Sequence, residues 1–308
     1  MFKDFTPFDI PVEPDVTIHG VYGGSGPAVL LLHGFPQTHH IWHRIADDLA
    51  QSYFVVAMDL RGYGRSSKPE GGDGHVRYGK KAMARDALRV MDELCPRNSD
   101  HRNKDNNKDG PPFYICAHDR GARVAHRLCV AYPARVKKAI FLDICPTLAM
   151  YTQTDLVFAK TYFHWFFLVQ SAPFPENVIT ANPQAWIQGF MGGRHAGLEA
   201  FAAACLAEYE NNLKDFRSVH AMCEDYRASS TIDMEEASRD FEQGRHIQCP
   251  LRVFWGAHGV IEKCFDAQAE WEKVSTSTVE GRALDSGHYI PEERPEDVLA
   301  NILEFFVN

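Results

Sequence analysis

Apolar residues along this chain fall into two rhythms. Short runs at Val16–Tyr22, Ala28–Leu32, Tyr53–Met58, Phe113–Cys116 and Val136–Leu142 have the length and composition of strands. Between them, Lys81–Leu94 sets Met83, Ala87, Val90, Met91 and Leu94 at helical spacing, and a second helical pattern follows Cys116 through Val130. Strands alternating with helices from residue 28 to 143 predict a mainly parallel sheet with helices on both faces. The strand rhythm fades at Cys145. From there to about residue 240 the chain is helical and rich in aromatics, among them Phe158, Tyr162, Trp165, Phe190, Tyr209 and Tyr226. Strands return at Leu251–Trp255 and Ser277–Ala283, with helices predicted at Phe265–Trp271 and Pro295–Phe306. The pattern is an α/β core over residues 1–146 and 239–308, interrupted by an α-helical cap over 147–238.

Sheets of this kind put their sites at the carboxyl ends of the strands. His33, Asp59, Asp119 and Asp143 all fall at such ends. The stretch from Ile115 to Arg123 reads as strand, sharp turn, helix, the layout of a nucleophile elbow. Ala117 and Gly121 are small enough to let that turn close. Its tip is Asp119 where many such elbows carry Ser, and a carboxylate there suggests attack on a saturated carbon. Such a nucleophile needs a base to activate water and an acid to orient the base. His288, in the loop after the last strand, is the candidate base. Asp143 is the candidate acid; Asp285, three residues from His288, is its rival. His33-Gly34-Phe35-Pro36 is either an ordinary strand-end turn or a device that aims the Phe35 backbone N–H into the site. Arg120 and Arg123 lie three apart at the start of a helix, so both can face one side, and guanidinium forks suit a carboxylate.

Composition narrows the partners. The 308 residues are 45% hydrophobic, enough for a sizeable core, and carry a formal charge of −9. That balance argues against nucleic acid, and requires any anionic substrate to be captured by local arginines. Eight cysteines without a C-x-x-C pair read as reduced thiols. His33, His39, His40 and His43 cluster, but no H-E-x-x-H pattern accompanies them and no cysteine is close in sequence, so surface or supporting histidines are expected. Gly23-Gly24-Ser25-Gly26-Pro27 is a turn without the Lys-Ser/Thr of a P-loop. The charged groups of Asp59–Ser67 are expected to hold that loop in shape. Residues 97–110 are polar with mixed signs and read as a surface insertion. The first residues lack a secretory pattern, and Tyr162–Val169 is too short to span a membrane, so a cytoplasmic protein without membrane contact is expected.

Several segments together resemble a known family. They are His33-Gly34-Phe35-Pro36-Gln37, Asp59-Leu60-Arg61-Gly62-Tyr63-Gly64-Arg65-Ser66-Ser67, His118-Asp119-Arg120-Gly121-Ala122-Arg123, His164-Trp165, Tyr226-Arg227-Ala228 and Ser286-Gly287-His288-Tyr289. They are similar to the haloacetate (fluoroacetate) dehalogenases, within the dehalogenase and epoxide-hydrolase branch of the α/β-hydrolase fold. The first, second and last are shared across the fold; the Asp-Arg-Gly-Ala-Arg and His-Trp segments are specific. The resemblance implies attack by Asp119 on a haloacetate and hydrolysis of the resulting ester by water that His288 and Asp143 activate. It also implies carboxylate binding by Arg120 and Arg123, halide binding by His164, Trp165 and Tyr226, and an oxyanion hole from the Phe35 and Arg120 N–H groups. Glycolate and halide would be the products, with no metal or organic cofactor, in a homodimer. Many fold members place the acid after the next strand, where this chain has Gly259; the haloacetate family uses the position of Asp143. The competing expectations are an epoxide hydrolase using Tyr226 and Tyr162, a haloalkane dehalogenase, and a non-catalytic binding protein, which would be expected to lack one of Asp119, Asp143 or His288.

Overall fold

The computed structural model describes residues 1–95 and 110–307. The expected insertion at 97–110 lies outside these residues, Gly110 apart. Eight strands form one sheet in the order β1-β2-β4-β3-β5-β6-β7-β8. They are β1 (Thr6–Glu13), β2 (Val16–Gly24), β3 (Ala28–Leu32), β4 (Phe54–Met58), β5 (Phe113–His118), β6 (Val136–Leu142), β7 (Leu251–Gly256) and β8 (Val279–Leu284). β1 and β2 run antiparallel to their neighbours, and the rest of the sheet is parallel.

Both faces are covered. Leu30, Leu32, Val56, Met58, Ile115, Ala117 and Phe141 pack on one side with Met83, Ala87, Val90, Ala125 and Leu128. Val29, Leu31, Val55, Ala57, Tyr114, Cys116 and Ile140 pack on the other with Trp42, Leu49, Val298 and Ile302. Period-2 alternation with both sides apolar is why these strands read as unbroken hydrophobic runs. The helices Lys80–Leu94, Asp119–Ala131 and Pro295–Phe305 match the predicted ones to within a residue or two.

Two differences have local causes. β1 adds a strand before the first predicted one. Pro7 and Pro11 mask it in sequence, yet prolines are tolerated on the edge of a sheet, where β1 lies. The helix expected at Phe265–Trp271 runs instead over Ala267–Glu272, because Asp266 caps it, accepting the Ala269 N–H at 3.1 Å. Between β6 and β7 the chain is helical, and the Phe163–Phe167 and Phe216–Ser229 helices carry side chains to the ends of β3 and β5. Among the described residues, no helix is long and apolar enough to cross a membrane.

Candidate active site

β5 turns into the Asp119–Ala131 helix within one residue. Asp119 takes a φ of +44°, a left-handed conformation that side chains rarely adopt. The turn is tight on both sides. A Cβ on Gly34 would lie 2.5 Å from the Asp119 Cβ, and one on Gly121 would strike the backbone of Leu32 and His33. The small residues seen in sequence thus let two strand ends meet. Their meeting brings the Phe35 N–H to the Asp119 Oδ2, 3.0 Å away. Arg120 is the second residue of the helix, so its N–H has no intrahelical acceptor.

His288 reaches the same point from the loop after β8. Its Nε2 lies 4.0 Å from the Asp119 Oδ2, and its Nδ1 lies 2.6 Å from the Asp143 Oδ2. Asp143 also has a left-handed φ, +51°, and its Oδ1 accepts the Gly256 N–H at 2.9 Å. A Cβ at Gly259 would stand 3.5 Å from that same Oδ1, so the ends of β6 and β7 converge on one spot. Asp285 is exposed and bonds His258 at 2.8 Å. It does not reach His288 in this arrangement.

Burial and the nearby Arg194 guanidinium hold His288 well below the usual imidazole range, so at neutral pH its Nε2 keeps a free lone pair toward Asp119. Burial pushes the Asp143 carboxyl up to about 7, against the Gly256 N–H that favours its ionised form. Asp119 is also buried, which alone would raise it, but His288, His118, Arg120 and Arg123 outweigh burial and hold it below the ordinary carboxylate range.

Arg120 and Arg123 are both buried. Asp225 takes most of the Arg120 fork, through Nε at 3.0 Å and Nη2 at 2.7 Å, leaving Nη1 without a partner among the described residues. Arg123 donates to the Thr147 hydroxyl at 2.7 Å and leaves its Nε unpartnered. Each arginine thus offers one open donor, where the sequence suggested two full forks. Tyr226 stacks under Arg120 at 4.1 Å, and Trp165 under Arg123 at 4.8 Å. Phe35 packs against both His164 and Tyr226, at 6.1 and 5.4 Å between ring centroids. The Nδ1 of His164, the indole N–H of Trp165 and the hydroxyl of Tyr226 are each buried with no partner among the described residues. Native interiors seldom leave polar atoms so, and a group of them marks a place where something binds.

Sequence reasoning missed the roles of three side chains. Asp225, next to Tyr226 in the chain, pairs with both Arg120 and Lys80. Its position within Asp-Tyr-Arg-Ala was the one signal available. The Tyr162 hydroxyl, considered only as an epoxide-binding group, lies 3.2 Å from the His288 Nδ1. Arg194 sits over the rings of Phe190 and Tyr162, at 4.8 and 5.0 Å, with its Nε unpartnered. A cavity of about 640 Å³ leads to His288, with Lys160, Arg194 and Lys263 on its walls.

The family model for the alpha/beta hydrolase fold matches residues 27–295. The chain belongs to that family. This hydrolase is 40% identical over 292 residues to a fluoroacetate dehalogenase from Burkholderia sp, covering 94% of this chain and 90% of the relative. A soluble epoxide hydrolase from Corynebacterium sp. (strain C12) is 25% identical over 94% of this chain and 93% of its own. Among solved structures, ALR0039 from Nostoc sp PCC 7120 superposes on the hydrolase with a TM-score of 0.91 at 41% identity, covering all of both chains.

Proposed function

We propose that this hydrolase removes halide from haloacetates, fluoroacetate in the first instance, by way of an ester on Asp119. One observation carries the reading. Five side chains around the nucleophile, Arg120, Arg123, His164, Trp165 and Tyr226, each hold a buried nitrogen or hydroxyl without a partner among the described residues. Two are cationic and suit a carboxylate. Three are neutral, which suits a small anion leaving from the carbon beside it.

The substrate carboxylate accepts from Arg120 Nη1 and Arg123 Nε, which fixes the adjacent carbon in line with Asp119. An Asp119 oxygen forms a bond to that carbon while the carbon–halogen bond breaks. The halide departs with the electron pair into the donors of His164, Trp165 and Tyr226. Fluoride is small and strongly hydrated, so donors fixed in advance replace the water it would otherwise need. Water then adds to the Asp119 carboxyl carbon as His288 Nε2 takes its proton, and Asp143 steadies the imidazolium. The Phe35 and Arg120 N–H groups stabilise the oxyanion. Collapse returns the proton to the departing glycolate oxygen. Substrate reaches the site through the cavity lined by Lys160, Arg194 and Lys263, and the helices of residues 147–238 act as a cap that excludes bulk water.

The second reading, an epoxide hydrolase, is favoured by Tyr226 and by the Corynebacterium relative. It needs a second tyrosine at the leaving oxygen, whereas the Tyr162 hydroxyl is engaged at His288. It also gives Arg123 nothing to bind. The deciding measurement is halide and glycolate release from fluoroacetate and chloroacetate, beside styrene oxide and a nitrophenyl ester. Turnover in ¹⁸O-water should place label in the Asp119 carboxylate. Diol from styrene oxide with no halide from either haloacetate would overturn the proposal.

A further inference from the structure

Away from Asp119, the fold gathers three side chains of metal-binding type from distant parts of the chain. His43 follows the short helix His39–Trp42, Cys205 lies in the Ala203–Lys214 helix, and Glu292 stands four residues beyond His288. Their ligand atoms lie within 4.8 Å of one another. We propose that they form a divalent-cation site of the zinc type, tying the Ala203–Lys214 helix to the core.

The spacing fits. Tetrahedral zinc, with bonds of about 2.0–2.3 Å, sets its ligand atoms roughly 3.3–3.7 Å apart. The Cys205 Sγ is 3.5 Å from the His43 Nδ1, which is 3.7 Å from the Glu292 Oε2. The His40 carbonyl oxygen completes the group, 2.8 Å from the His43 Nδ1 and 4.0 Å from the Cys205 Sγ. Without a cation this carbonyl accepts the Nδ1–H. With one, the imidazole proton moves to Nε2 and the carbonyl turns to the metal or yields its place to water.

Glu292 points to a ligand independently. Its side chain is fully buried, and its Oε1 accepts from the Tyr209 hydroxyl at 3.0 Å. Its Oε2 has no hydrogen-bond partner among the described residues; the His43 Nδ1 stands at 3.7 Å and the Arg44 Nε at 3.8 Å. A buried carboxyl oxygen with no partner is costly, and a cation resolves it. The charges also agree, since one thiolate and one carboxylate neutralise a divalent ion and the thiol proton is released on binding. Sulfur and imidazole select zinc over calcium or magnesium. A cavity of about 350 Å³, bordered by Glu199, Asp285, Glu292 and Glu293 as well as Arg44 and Arg294, offers an entry path to it. The imidazoles of His33, His39 and His40 stay outside the group, each held by a neighbouring backbone or side chain.

The test uses the full chain after chelator treatment and titration with cobalt(II), then zinc. One equivalent of cobalt should bring a thiolate-to-cobalt charge-transfer band and d–d bands of tetrahedral intensity. Zinc should displace them and raise the unfolding midpoint by roughly 2 °C or more at a large excess over its Kd. Cys205→Ser should abolish the charge-transfer band and weaken zinc more than about 100-fold by calorimetry. His43→Ala, at a partly exposed position, should weaken zinc comparably and serves if the serine variant does not fold. The proposal is overturned if wild type shows no charge-transfer band at one equivalent. It is equally overturned if that band survives in Cys205→Ser, since the thiolate then belongs to another cysteine.

Discussion

Asp59 and Asp119 stand at the ends of β4 and β5, two strands separated only by β3, and both are buried. Their surroundings differ in donors. Asp59 accepts from the His39 N–H and the His39 Nδ1, both at 2.8 Å, and from the Arg65 N–H at 3.0 Å. Asp119 accepts one hydrogen bond, from Phe35, among the described residues. Both are held below the ordinary carboxylate range against the effect of burial. His39 and His33 do this for Asp59; His288, His118 and the two arginines do it for Asp119. The difference is that Asp59 spends its lone pairs on hydrogen bonds, while Asp119 gives up only one and keeps the others open beside the buried Arg120 and Arg123 guanidiniums. A carboxylate built to shape a loop and one poised to attack thus share a place in the sheet and differ in what surrounds them.

Substitution separates the two most sharply. Asp119→Asn should reduce dehalogenation by about 10⁴-fold or more in steady-state halide release, with folding stability little changed. Asp59→Asn should do the reverse. It loses roughly 1–3 kcal/mol of stability in urea unfolding and keeps ester formation, because it frees donors that were satisfied. An Asp59 variant that folds normally but cannot form the ester would erase the distinction. Next in size, His288→Asn should leave the first step intact and slow kcat by roughly 10²–10⁴-fold. Intact-mass measurement should then find the substrate fragment on Asp119. A smaller loss, roughly 10–100-fold in kcat/KM for fluoroacetate, is expected of Arg123→Lys, because a point charge does not reproduce the single directed Nε donor. The mildest effect concerns pH. Burial pushes Asp143 up to about 7, and His288 works as a base only beside ionised Asp143. Activity should therefore fall as pH drops through about 7, with the apparent pKa belonging to the Asp143–His288 pair. A profile flat from pH 5 to 8 would show that Asp143 stays ionised throughout.

How much of this was legible in the sequence follows from the range of each contact. β3, β6 and the elbow helix carry their own periodicity, and local pattern suffices for them. Asp119, Asp143 and His288 could be nominated because each sits at a strand end or in the loop after one. Which partner each side chain takes could not be read. Asp225 meets Arg120 across 105 residues, and Tyr162 meets His288 across 126. Neither leaves a local trace. Cys205 escaped for the same reason: a search for cysteine near His43 in sequence finds none, while the fold closes a gap of 162 residues. β1 was hidden by the opposite cause, a strong local signal from Pro7 and Pro11 that an edge position overrides.

The left-handed backbone at Asp119 and Asp143 limits the routes by which this protein can evolve. Such a φ costs most residues on the order of 1 kcal/mol or more, and Asn, Asp and Gly the least. A lineage trading one nucleophile for another, such as the serine many such elbows carry, must therefore meet that backbone cost anew at position 119. It is further constrained by position 34, where anything larger than glycine would collide with the replacement. The repertoire open to this scaffold is narrowed by chain geometry before any substrate exerts selection.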